Sequence, residues 1–189
     1  MNSKMTNGIL FIVGALAPFI IYMGLGPDGA DMLDVAGAEK WVFLIMLSIP
    51  IAFMMTADTM KGGSGHGYAK AGLIIIIIAY TGGSVGDAIG AQDEFKSLGS
   101  SLQATFWTAM LIGVGVTGIG YFVQKTFPSW LCGLMMLIGV YAFVVFGIMG
   151  ISDDDALSMP AWIGMMLSFL CLGILTIRNS KNRNSKKQK

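Results

Sequence analysis

Charge is scarce in this chain. Of its 189 residues, 12% are Asp, Glu, Lys or Arg and 54% are hydrophobic, where an ordinary soluble domain carries about 25% charged residues. The formal net charge is +1, so nothing in the overall charge implies a nucleic-acid partner. Histidine occurs once, as His66, and cysteine twice, as Cys132 and Cys171. One imidazole and two separated thiols cannot assemble a zinc, haem or copper ligand set within one chain, and no metal or cofactor is expected. Both cysteines lie in apolar segments and read as small hydrophobes rather than a disulfide framework.

The same scarcity argues against an enzyme. Membrane hydrolases and transferases need a nucleophile with its base, or a metal set, at shared depth. The only pair in reach is Asp58 and His66, eight residues apart across KGGSGHG. That glycine-rich stretch lacks the spacing and the strand-to-helix context of a phosphate loop and reads as a flexible connection. The Asp153-Asp154-Asp155 triplet carries too few oxygens for calcium, which takes about 6–8 from a shaped loop.

Abundant instead are apolar runs near the ~20 residues that cross a bilayer as a helix. They fall at 8–26, 41–57, 68–91, 102–123, 130–151 and 160–177. The reading is all-α: a polytopic membrane helical bundle of six transmembrane helices with short loops. Residues 1–177 form one domain, and 178–189 a basic tail without apolar periodicity, expected to be disordered. Ala15-Leu16-Ala17 has the form of a signal-cleavage site, but the apolar run continues through Pro18 to Leu25, so a retained helix is expected. Pro18 and Pro50 should interrupt their spans, and Trp41 and Trp162 sit where interfacial tryptophans belong. Ser100-Ser101-Leu102-Gln103 fits a capping box opening the fourth span.

Lys and Arg placement orients the bundle. Six spans put both termini on one side, together with Lys4, Lys61, Lys70, Lys125, Arg178, Lys181, Arg183, Lys186, Lys187 and Lys189, ten of the twelve basic residues. Lys40 and Lys96 fall opposite, with Asp28, Asp31, Asp34, Glu39, Asp87, Asp93, Glu94 and the Asp triplet. A multi-pass cell-membrane protein with both termini cytoplasmic is expected.

The third span organises the rest. At about 100° per residue, Tyr80, Ser84 and Asp87 share a narrow arc. Gly82, Gly86 and Gly90 share a broadly opposite one. Glycines at this spacing let helix backbones approach in lipid, where packing rather than hydrophobicity drives contact. Gly113 to Gly120, in GVGVTGIG of the fourth span, is the matching candidate surface, with Gly86 expected against it. An intramembrane acid marks a functional candidate, so Tyr80, Ser84 and Asp87 are the candidate binding or path-lining residues.

Two functions fit. The first is a structural or assembly subunit of a larger membrane complex, whose partners are the lipid bilayer and other membrane subunits or further copies of itself. The second is a small oligomeric channel or carrier for a cation or small solute, with its path along the third span.

Overall fold

A computed structural model describes residues 3–26, 29–150 and 156–187. Asp28, Asp153–Asp155 and Lys189, which enter the charge reading, lie outside the described residues. The chain is all-helical, with no strand among the described residues. Six helical stretches are long and apolar enough to cross a bilayer: Ser3–Leu25, Val35–Thr59, His66–Gly90, Lys96–Val123, Ser129–Ile148 and Met159–Ser180. This architecture is compatible with an integral multi-pass membrane protein.

Helix α1 spans Ser3–Ile20 and contains Pro18. Proline has no N–H for the carbonyl four residues back, and the chain beyond it widens into a π-helical stretch, Ile21–Leu25, closed by Gly26 N–H on Ile21 O at 2.7 Å. The second span is two helices, α2 (Val35–Met46) and α3 (Ser48–Thr59). The break falls at Leu47 rather than at Pro50, because Pro50 lacks the N–H that would bond Met46 and its ring crowds that carbonyl. Helix α4 is His66–Gly90 and α5 is Lys96–Val123. Helix α6, Ser129–Ala142, runs into a second π-helical stretch, Phe143–Ile148. Helix α7 is Met159–Lys187.

Several boundaries depart from the sequence reading, among them the start of the second span at Val35 rather than Trp41. The 58–67 connection is shorter, since α3 holds Asp58 and α4 begins at His66. The capping box is not formed: α5 starts at Lys96, so Ser100 and Ser101 lie inside it, donating to the carbonyls of Lys96 and Ser97 at 2.9 and 3.0 Å. A one-turn 3₁₀ segment, Asp93–Phe95, starts the coil early. The helix of the last span also continues past Ile177 to Lys187. Extending an existing helix costs little beside nucleating one, and Lys and Arg are good helix formers.

Consecutive spans pack side by side, and the last returns to the first, so the six form a closed up-and-down ring. One end gathers Lys4, Lys61 and Lys125 and is called the basic end; the other, with Glu39 and Asp87, is the acidic end. Packing around the ring is uneven. The spans α4, α5 and α6 form one tight block, and α7, α1 and the α2–α3 span form another. Within the blocks glycines bring backbones together. A Cβ on Gly113 would lie 3.0 Å from Gly72 O, one on Gly115 would lie 3.1 Å from Gly139 Cα, and one on Gly173 would lie 2.6 Å from Gly8 O. Between the blocks, side-chain contacts include Phe43 on Tyr80, Trp107 on Trp162 and Phe53 on Tyr121.

Three buried hydroxyls bond a carbonyl of their own helix, which satisfies them away from water. Thr117 donates to Gly113 O at 2.9 Å, Ser168 to Gly164 O at 2.8 Å and Thr176 to Leu172 O at 2.7 Å. At the basic end, Gln124 clasps the connection before α4, accepting from Gly65 N–H at 3.2 Å and donating to Met60 O at 3.1 Å.

Candidate functional site

The ring holds an open cavity of about 960 Å³ in its acidic half, lined from five of the six spans; α6 does not contribute. Each wall follows from local structure. Asp34 caps α2, its carboxylate accepting from Gly37 N–H at 2.8 Å. This starts the helix six residues before Trp41 and carries Glu39 and Lys40 onto the cavity wall. Tyr22 comes from the π-helical stretch that follows Pro18 and lines the same cavity as Glu39. The third span contributes Tyr80, Ser84 and Asp87, together with Thr81.

The three candidate residues of the third span all line this one space. The Tyr80 hydroxyl donates to Phe43 O, in the last turn of α2. Ser84 donates to its own helix at Tyr80 O, 2.8 Å away, which leaves lone pairs on its oxygen. Asp87 Oδ1 accepts from the indole N–H of Trp107 at 3.1 Å. Four aromatic rings from four spans form a row along the cavity. Phe43 stacks on Tyr80, with centroids 5.4 Å apart and planes 8° from parallel. Trp107 meets Tyr80 edge-on at 6.2 Å and Trp162 edge-on at 5.8 Å.

The floor is apolar. Met46, Met165 and Phe169 line it, and below Phe169 the rings of Phe11 and Phe53 fill the axis. Phe53 packs at 5.0 Å from Phe11 and 5.5 Å from Phe169, both edge-on. All three are at most 1% exposed, so the axis is closed here. Toward the basic end lies a buried polar group. Asn7 donates to Thr56 Oγ1 at 2.9 Å, Thr56 donates to Ala52 O at 3.0 Å, and the Tyr121 hydroxyl points toward Thr56 without completing a bond. Asn7 Oδ1 has no partner among the described residues.

The glycines of the third span face α5, at a register different from the expected one. A Cβ on Gly82 would strike the Phe106 ring, one on Gly86 would lie 2.9 Å from Gln103 N, and one on Gly90 would lie 3.1 Å from Gln103 Nε2. Gly113 and Gly120 instead oppose the first half of α4, where a Cβ on Gly120 would lie 2.7 Å from Ala69 N. The helices are antiparallel, so the later half of one meets the earlier half of the other. Gly86 therefore does not reach the Gly113 to Gly120 stretch. The Asp58–His66 pairing considered from sequence is not what holds His66, whose Nδ1 lies 3.1 Å from Ala57 O.

Sequence reasoning missed Glu39, Tyr22 and Trp107. The signal for Glu39 was present in DVAGAEKW, where Asp34 can cap a helix that includes Glu39. Tyr22 and Trp107 carried no local signal. Comparison with family models, with curated proteins and with solved structures finds no match to this chain.

Proposed function

We propose that this protein is a small membrane carrier that takes a solute into the cavity beside the third span and passes it between the two three-span blocks. The observation that carries this reading is the cavity itself: about 960 Å³, polar at one end of the ring and closed at its floor by Phe11, Phe53 and Phe169. An open channel would not be plugged by three buried rings. A structural subunit would have no need of so large a space lined by two acids. The block arrangement supports the same reading, since carriers alternate access largely by rocking one rigid bundle against another around a fixed site. Glycine-matched backbones hold each block rigid, and the side-chain contacts between blocks are easier to exchange. With both termini cytoplasmic, the cavity opens toward the outside and this arrangement is the outward-facing one.

The test is solute entry into proteoliposomes containing the purified protein, read as light scattering after an osmotic step across a panel of solutes. Carrier activity predicts saturable entry of at least one solute. Entry equal to that of empty liposomes for every solute tested would remove the carrier reading.

A second reading, a structural or assembly subunit of a larger membrane complex, is favoured by one surface. Ser97, Ser101 and Thr105 are exposed along one stripe at the start of α5, and a hydroxyl stripe suits a neighbouring helix better than lipid. Native mass spectrometry after gentle extraction separates the two. Stable co-purification with other chains supports the subunit, and a lone chain or homo-oligomer supports the carrier.

A further inference from the structure

We propose that the cavity binds a monovalent organic cation of the alkylammonium class, with its nitrogen between Glu39 and Asp87 and against the Trp107 and Trp162 rings. The inference rests on the carrier reading for its site and adds the chemistry of what enters.

Charge balance comes first. Two carboxylates, Glu39 and Asp87, line the cavity against one ammonium, Lys40. Lys40 is exposed while both acids are half-buried. Among the described lining residues acids outnumber bases, so the lining favours a cation over an anion, which would deepen the desolvation cost that the acids carry.

The walls then decide which cation. A bare metal ion needs a compact set of oxygens, about 6–8 for calcium, and among the described residues no group of three or more His, Cys, Asp or Glu side chains comes together. The cavity is also far larger than an ion. At about 960 Å³ it has the size of pockets that enclose whole organic molecules, ~300–1,000 Å³. Four aromatic rings line the same cavity as the acids, and the Trp107 indole is bonded to Asp87. Ring faces attract cations through their quadrupole, more strongly where water is excluded, and substituted ammonium groups are the ligands that aromatic cages recognise. A poorly hydrated, alkylated nitrogen gives up little water on entering such a site, unlike sodium. The floor of Met46, Met165 and Phe169 then accepts the apolar body attached to the nitrogen.

Two sources offer this chemistry: a free organic cation in solution, or the choline headgroup of a bilayer lipid. The shared feature is the alkylated nitrogen, and the bilayer composition tells them apart.

The experiment uses full-length protein carrying Trp41→Phe and Trp130→Phe, so that only Trp107 and Trp162 fluoresce; both replaced residues are exposed. It is placed in phosphatidylglycerol nanodiscs and titrated with tetrapropylammonium chloride against sodium chloride of equal ionic strength. A saturable fluorescence change specific to tetrapropylammonium is expected. Glu39→Gln and Asp87→Asn should each weaken it at least tenfold, and Trp162→Leu, which keeps both acids, should weaken it severalfold. No saturation beyond the sodium chloride control, or unchanged affinity in both acid variants that retain the wild-type melting temperature, overturns the proposal. Repeating the titration in phosphatidylcholine nanodiscs assigns the source: a shift to higher concentration identifies the headgroup as occupant, and no shift identifies the free cation. The carrier reading is judged separately. Entry of neutral solutes with no tetrapropylammonium binding removes the cation class and leaves the carrier. Binding without entry of any solute removes the carrier and leaves the site.

Discussion

Trp107 and Asp87, twenty residues apart in sequence, are joined by an indole-to-carboxylate hydrogen bond of 3.1 Å. The bond ties α5 to α4 at the acidic end and fixes one carboxylate oxygen toward the ring row. It makes Asp87 part of a wall rather than a carboxylate that swings with its rotamers. Interhelical hydrogen bonds within membranes are worth about 0.6 kcal/mol on average and up to about 1.7. A double-mutant cycle of Trp107→Phe and Asp87→Ala, each of which removes the bond, read by unfolding in mild detergent, should return a coupling energy of ~0.5–2 kcal/mol. Additive single effects would mean that the bond does not form in the bilayer protein.

The carboxylate itself is tested by transport. Asp87→Asn keeps the shape and an acceptor oxygen but removes the charge, so cation flux into proteoliposomes should be abolished or shifted in selectivity, with expression and assembly intact. Wild-type cation flux in the variant would leave Asp87 as an ordinary interfacial carboxylate.

Glycine replacements should rank by what a Cβ meets. At Gly72 it would press on the backbone, Gly113 O at 2.6 Å and Thr117 N at 2.7 Å, whereas at Gly133 it would meet nothing within 4 Å. Gly72→Ala should cost about 1–3 kcal/mol, the general cost of overpacking, and Gly133→Ala should be neutral or slightly stabilising through helix propensity. Gly86→Leu should also destabilise, by pushing Leu102 and Gln103 away. Thermal unfolding in detergent gives the order, and equal melting temperatures for Gly72→Ala and Gly133→Ala would contradict the described seam.

The plug should matter twice. Phe53 touches Phe11, Phe169 and Tyr121, so Phe53→Ala should lower stability by about 3–5 kcal/mol, as buried Phe truncations do. Phe169→Ala should be milder for stability and should open the cavity floor. Its expected signature is a faster, less saturable leak in proteoliposomes, and an unchanged entry profile would show that Phe169 does not close the path.

Orientation is read by labelling. On a background with Cys132 and Cys171 replaced, Asp31→Cys should react with an impermeant thiol reagent on intact cells, and Ser185→Cys only after permeabilisation. The reverse pattern would invert the topology and turn the cavity toward the cytoplasm.

Much of the fold was legible because it is local. Six apolar runs, their turn residues and two prolines set the spans, and the Gly and polar arcs of the third span follow from helical geometry alone. Helix starts were harder. Charges at Asp34 and Glu39 read as loop, although a carboxylate at the N-cap opens a helix, and this hid Glu39 from the candidate site. Partners across the ring were not legible at all. Helical periodicity gives the direction of a side chain around the axis and says nothing about axial offset between neighbours. Hence Gly86 was paired with the wrong half of α5, and Trp107 was not seen beside Asp87. The cavity depends on the first and last spans closing the ring, which no single stretch of sequence encodes.

The antiparallel seam between α4 and α5 also bears on how this chain can change in length. Small residues on both helices must stay matched from Gly65 opposite Gly120 to Gly90 opposite Gly99. One residue inserted between Gly72 and Gly86 would turn everything beyond it by about 100° and advance it by about 1.5 Å. Gly86 and Gly90 would then leave the seam, and Asp87 would leave Trp107. A substitution spoils one contact, but an insertion misaligns every later one together. Length variation is therefore confined to the 91–95 connection, where added residues displace no matched pair, and the two helices can drift in sequence only with their lengths held fixed.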